Sequence, residues 1–179
     1  MSKFLRLTAL GAAAAAFTAT QAAAATSVSA TQNASAHAKI MKPLQIAGTQ
    51  DLDFGTLVIS GSGTQVMHLN QSAVLAGCGA VITCSGTPQD AIYNVKGTPN
   101  ATVTVTVTSP VVLTNANDST TLNMTPDAPA TVALDTNAAS TGDNFNIGGS
   151  ITIANSGTPA TDTTDGVYTG TFAVSVDYQ

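Results

Sequence analysis

An all-β fold of short strands is what this 179-residue chain specifies, on three observations. Apolar and polar residues alternate with period two in one stretch after another, the pattern of strands with one buried face. Clusters of Gly, Pro, Asn and Asp punctuate those stretches at short intervals, as turns between strands require. Beyond residue 25 the chain is dominated by Thr, Ala, Ser, Val, Asn and Gly, a mixture that favours strands and turns over helices. The spacing predicts eight or nine short strands and a β-sandwich, with no helix and no internal repeat.

Residues 1–25 read as a leader and not as part of the fold. Lys3 and Arg6 precede an apolar run from Leu7 to Phe17, and Ala22–Ala25 offer small-residue cleavage positions. That is the layout of a secretory signal peptide, which implies export through the inner membrane. No later stretch is long and apolar enough for a membrane span. The remaining residues suit one domain with a sizeable core.

All ten acidic residues are Asp, and beyond the leader only Lys39, Lys42 and Lys96 carry positive charge. An acidic domain without Arg is poorly suited to nucleic acid or anionic lipid. Cys78 and Cys84 are the only cysteines, and in an exported chain such a pair reads as a disulfide. His37 and His68 show no metal-ligand spacing relative to them, so neither a metal nor a cofactor is expected.

In chain order, residues 26–41 come first as an extension and residues 42–179 as the sandwich domain. Val28, Ala30, Ala34, Ala36, Ala38 and Ile40 alternate with mostly polar neighbours, and the alternation runs on to Ile46. A strand of ~20 residues would span about 65 Å, several times the usual length. Pro43 removes a ladder donor and suggests a break. Leu44–Ala47 is therefore assigned to the domain and Thr26–Ile40 to another role.

Leu52 and Phe54 alternate with Asp51 and Asp53, and Gly55 marks a bulge or close backbone approach before Thr56–Ile59. Short strands follow at Gln65–Leu69, Ala73–Leu75 and Asp90–Val95. Between the last two, Gly77–Gly86 reads as a small hairpin clamped by its cysteines. Ala101–Thr108 is the clearest internal strand, with Val103, Val105 and Val107 on one face and threonines on the other. Leu122–Met124, Thr131–Leu134 and Phe145–Ala154 complete the interior. The last stretch, Gly166–Gln179, places Gly166, Tyr168, Gly170, Phe172, Val174, Val176 and Tyr178 on one face of a half-buried terminal strand.

Catalytic machinery is scarce. With no Glu, no Arg beyond the leader and only His68 inside the domain, no Ser-His-Asp or dinucleotide-loop pattern forms. Asp135, Asp143, Asp162 and Asp165 could bind calcium as loop carboxylates, but turn chemistry explains them equally. Six aromatics and no Trp beyond the leader make a poor platform for sugars. No enzymatic activity is expected.

The two alternating ends together resemble the subunits of bacterial chaperone–usher pili. In that family the final strand alternates, carries a glycine fourteen residues from the end and has a penultimate tyrosine; here these are Gly166 and Tyr178. The family also has an N-terminal extension of small and apolar alternating residues, as Thr26–Ile40 is. Stretches such as LDFGTLVI at Leu52, TPNATVTVTV at Thr98 and GGSITI at Gly148 are similar to a family of small secreted bacterial β-domains of unassigned function. The best-known pilus branch joins cysteines far apart in sequence. Cys78 and Cys84 are close, which leaves the archaic and alternative branches open.

The pilus resemblance implies an immunoglobulin-like sandwich lacking its last strand, with Gly166, Tyr168, Phe172, Val174, Val176 and Tyr178 as the acceptor strand beside an open groove. Val28, Ala30, Ala34, Ala36, Ala38 and Ile40 would be the donor strand that fills it in another copy. A periplasmic chaperone, an outer-membrane usher and further copies in a surface fibre are the implied partners. The implied location is the periplasm in transit, then the cell surface, fimbrium or medium, in a role in adhesion or biofilm. The competing reading is a complete monomeric secreted or surface sandwich with a binding role, in which residues 34–47 form the first strand.

Overall fold

The computed structural model describes residues 28–29, 33–159 and 161–179. The leader and Ala30 lie outside the described residues, so the export signal and one of the six donor positions are not placed by it. The compact unit runs from Lys39 to Gln179. It is built of strands β1 (Gln45–Gln50), β2 (Thr56–Ile59), β3 (Gly63–Leu69), β4 (Leu75–Ala76), β5 (Ile82–Ser85), β6 (Ala91–Lys96), β7 (Thr102–Val107), β8 (Val111–Asn115), β9 (Thr121–Asp127), β10 (Thr131–Ala133), β11 (Asp143–Asn155), β12 (Tyr168–Thr169) and β13 (Val174–Tyr178). No helix occurs among the described residues. The thirteen strands outnumber the eight or nine expected, and the terminal alternating stretch alone supplies two of them, β12 and β13.

The pairing follows immunoglobulin topology. One sheet runs β1-β6-β11-β9, continuing to β8 and β12, and the other runs β10-β7-β13. An immunoglobulin constant-type sandwich places strands A, B, E and D in one sheet and C, F and G in the other. Here β1, β6, β11 and β9 take the places of A, B, E and D, while β7 and β13 take those of C and F. No described strand takes the place of G. β2 and β5 form a separate two-stranded ribbon. β3 and β4 extend the large sheet along β11.

The thirteen residues of β11 hold the large sheet together. Asp143–Ile147 pair with β6, and Gly149–Asn155 pair with β3. On its other edge, Gly148–Ile151 pair with β9. The change of partner falls at Gly148-Gly149, where a side chain has no room. A Cβ on Gly148 would land on the Leu69 carbonyl oxygen, and one on Gly149 would press on Met124 Sδ at 3.1 Å.

Two apolar clusters fill the interior, and the period-two faces build both. Phe54, Met67, Leu69, Ile82, Val111, Met124, Ile151 and Ile153 form the first. Ala91, Val95, Val103, Val105, Leu134, Ala138, Phe145 and Ile147 form the second, between β1-β6-β11 and β10-β7-β13. Leu52 and Phe172 pack against both. Val95, Val103 and Ile147 are fully buried. Each such branched side chain contributes about 1.5–3 kcal/mol by leaving water.

Two sequence expectations change. Gly77–Gly86 is not a hairpin of its own: β5 pairs with β2, Thr56 to Ser85 through Ile59 to Ile82. The terminal stretch is not one strand either. Tyr168-Thr169 pair with β8 in the large sheet, and only Val174–Tyr178 pair with β7. Gly170 sits at the crossing, where a Cβ would strike the Val112 carbonyl oxygen. Strand pairing therefore ends before the chain moves to the second sheet. Residues 34–44 form no strand, so the first strand begins at Gln45.

Candidate functional site

The outer edges of β1, β10 and β13, which border the second cluster, lack a strand partner among the described residues, and β1 and β13 are tied to each other through Tyr178 and Lys42. An unpaired edge presents a row of free N–H and C=O groups, a template for one more strand. The side chains beneath these edges are only half covered. Leu44, Ile46, Phe172, Val174, Val176 and Tyr178 are all half-buried, whereas Val95 and Val103 on the neighbouring strands are at 0 %. β13 supplies Val174 and Val176 because it pairs with β7 in register with Val107 and Val105, which turns the valines inward together.

One end of this gap is tied shut. Thr98 N–H donates to Tyr178 Oη at 2.6 Å, and Tyr178 O–H donates to the Lys42 carbonyl at 2.8 Å. Lys42 N–H donates in turn to Thr98 Oγ1 at 2.7 Å. Tyr178, Leu44 and Leu134 converge on Gly97, where a Cβ would lie 2.6, 2.8 and 2.9 Å from them. Only a residue without a side chain lets the three meet. At the other end, Tyr93 stacks on Phe145 with centroids 5.8 Å apart and tilts against Phe172 at 6.4 Å. Burial raises the Tyr93 pKa, and the nearby Asp51 charge adds to this. Gly48 pairs with Tyr93 and has no side chain to cover the ring, which stays half-buried.

Of the other terminal-face residues, Gly166 and Tyr168 lie away from β13. Gly166 has φ +148°, and a Cβ there would collide with the Asn115 side chain. Asn115 is 1 % exposed; its amide donates to the Asp165 carbonyl at 3.0 Å and its Oδ1 accepts from Asn117 N–H. Gly166 is therefore the residue that lets the segment before β12 lie on a buried asparagine. Gly166→Ala should destabilise the domain by about 2 kcal/mol, read as a lower urea midpoint at unchanged slope. Tyr168 O–H donates to the Thr164 carbonyl at 3.0 Å and serves this same corner.

The described candidate donor residues, Val28, Ala34, Ala36, Ala38 and Ile40, lie in no strand. Val28 is 94 % and Ile40 91 % exposed, and Ala34, Ala36 and Ala38 are exposed as well.

Cys78 and Cys84 are bonded, with Cα atoms 5.6 Å apart. Cys84 lies on β5 and packs against the first core cluster, so the bond anchors the exposed Cys78 loop to the β2-β5 ribbon. A Cys78→Ser/Cys84→Ser double variant should lose about 2 kcal/mol, the loop-closure value for so short a ring, measured by chemical denaturation without reductant.

Of the four loop carboxylates singled out, Asp135, Asp143 and Asp162 accept hydrogen bonds that close turns, whereas Asp165 contributes only its backbone carbonyl. Asp162 accepts from Ser156 N–H, Ser156 O–H and Gly157 N–H, and Asp118 accepts from Thr120 N–H and O–H. Those hydrogen bonds lower both pKa values, for Asp118 chiefly the Thr120 hydroxyl and for Asp162 chiefly the Ser156 N–H. Asp143 accepts from Asp135 N–H, and Asp135 from Asn137 N–H. His68 Nε2 lies 3.4 Å from Asp127 Oδ2, both side chains partly exposed. Sequence reading did not single out Thr98, Gly97 or Asn115. Gly97-Thr98-Pro99-Asn100 reads only as a turn, and nothing in its composition points to Tyr178.

The fold and this site define a disulfide-bonded, all-β domain of immunoglobulin-like sandwich topology in which no described strand takes the place of G. No helix among the described residues is long and apolar enough to cross a membrane. The chain belongs to the family described as a domain of unknown function, DUF4402, whose model matches residues 44–178. Neither a curated protein nor a solved structure matches it.

Proposed function

We propose that the protein is a non-enzymatic structural subunit of a surface fibre, assembled when the Thr26–Ile40 extension of one copy fills the β1–β13 gap of the next. The observation that carries this reading is the coincidence of an unpaired edge over a half-buried apolar floor with an alternating segment of the same chain whose described residues, 28–29 and 33–40, lie in no strand. A donor strand would complete the sheets through main-chain hydrogen bonds while alternate side chains enter the floor. Burying Val28, Ala30, Ala34, Ala36, Ala38 and Ile40 would supply about 3–8 kcal/mol before ordering costs. The contact is head-to-tail and does not close on itself, so repetition makes a fibre. Before assembly the open edges need cover, the role of a periplasmic chaperone, with an outer-membrane usher for export to the surface. Adhesion or biofilm support is the service such a fibre performs.

The purified protein should form linear polymers whose length grows with concentration, seen by electron microscopy and light scattering. Deleting Thr26–Ile40 should abolish them and leave a domain that binds a synthetic peptide of those residues. A strictly monomeric protein, whose deleted form ignores the peptide, would instead be the complete secreted domain. The full burial of Val95, Val103 and Ile147 without any added strand is what favours that second reading.

A further inference from the structure

A chain that carries both a donor strand and a gap could satisfy itself, and the partition between folding back and reaching a second copy decides whether it polymerises. β1 and β13 run in opposite directions along the gap. The first strand starts where β13 ends, since Tyr178 bonds to Lys42. Residues 26–40 therefore join the domain at the tied end. To fill the gap of its own copy, the extension would have to reverse within Met41–Leu44, immediately beside β1.

Two features oppose that reversal. Pro43 fixes its own φ and pushes Lys42 into extended backbone, which excludes the primed two-residue turns that close hairpins. In addition, both backbone groups of Lys42 are held: its N–H by Thr98 Oγ1 and its carbonyl by Tyr178 O–H. Thr98 is itself held by Tyr178 through its N–H. The tyrosine ring thus links the end of β13, the β6–β7 turn and the segment before β1 into one closed ring of contacts.

We propose that this Tyr178–Lys42–Thr98 clasp, with Pro43, is a directional device. It bars the extension from its own gap, so that only a second copy, entering from the Phe172 end, can supply the missing strand. Tyr178 is in this sense a positioning residue: through its hydroxyl it sets which copy donates. The inference rests on the fibre reading above and goes one step past it.

The test is a refolding partition. Purified protein is unfolded in denaturant, diluted over a range of concentrations, and separated by size. Unmodified protein should give mostly polymer. Tyr178→Phe/Pro43→Gly should raise the yield of heat-resistant monomer about tenfold, since it releases the Lys42 carbonyl and the Thr98 N–H together. Removing residues 26–40 from that variant should remove the heat resistance. Thr98→Val/Pro43→Gly, which leaves β13 intact, should shift the partition in the same direction and guards against a variant that loses its fold. Polymer yields equal to the unmodified protein in both variants would overturn the clasp and leave the fibre reading standing. If the unmodified protein gives only monomer, and its stability ignores removal of residues 26–40, both fall together.

Discussion

Moving Thr26–Ile40 behind Gln179 through a flexible linker of about 4–5 residues is expected to raise the melting temperature by about 10–25 °C. β13 ends beside the tied end of the gap, so a strand that follows it by a short turn lies antiparallel along its free edge. The edge groups of β13 then gain partners, and the half-buried Leu44, Ile46, Val174 and Val176 are covered. The gain of about 3–8 kcal/mol is realised almost fully because a tethered strand meets its groove at millimolar effective concentration. Calorimetry on the grafted and ungrafted proteins, both lacking the N-terminal copy, reads the difference directly. An unchanged melting temperature would mean that the β1 and β13 edges do not form a strand site, and the proposed assembly would lose its basis.

Gly148→Ala should be the most damaging single methyl in the domain, costing about 3 kcal/mol or roughly 10 °C. The added Cβ falls on the Leu69 carbonyl oxygen, a backbone atom of β3 that is held in register against Gly149. Relief requires β3 to move off β11, and β3 carries the fully buried Met67 and Leu69. Gly149→Ala is the control. Its Cβ meets the flexible Met124 side chain at 3.1 Å, and methionine can swing aside at lower cost. Urea unfolding should therefore rank Gly148→Ala well below Gly149→Ala in stability. Equal losses would show that the partner change along β11 does not depend on the close approach at Gly148.

Faces were legible in the sequence because alternation encodes them directly. Val103, Val105 and Val107 point inward as read. Gly55 has the positive φ (+74°) and close backbone neighbour that a lone glycine among alternating residues suggests. The cysteine pair was legible from compartment and count, and it is bonded. The extension stood out because its alternation outran any single strand.

Partners were not legible, since period two says which face a residue takes and nothing about the strand beside it. The same alternating run from Gly166 to Tyr178 serves two sheets, and the crossing at Gly170 follows from a backbone approach to Val112 that only the assembled sheets create. Tyr178 stands out in the sequence only by its next-to-last position, yet its partners are Lys42, 136 positions away, and Thr98, 80 positions away. Local sequence carries the strand class, the turns, the disulfide and the alternation of the N-terminal segment. The tertiary structure alone decides which edges stay unpaired and that one end of the gap is clasped, because strand order arises from contacts between residues too distant for any local pattern to record.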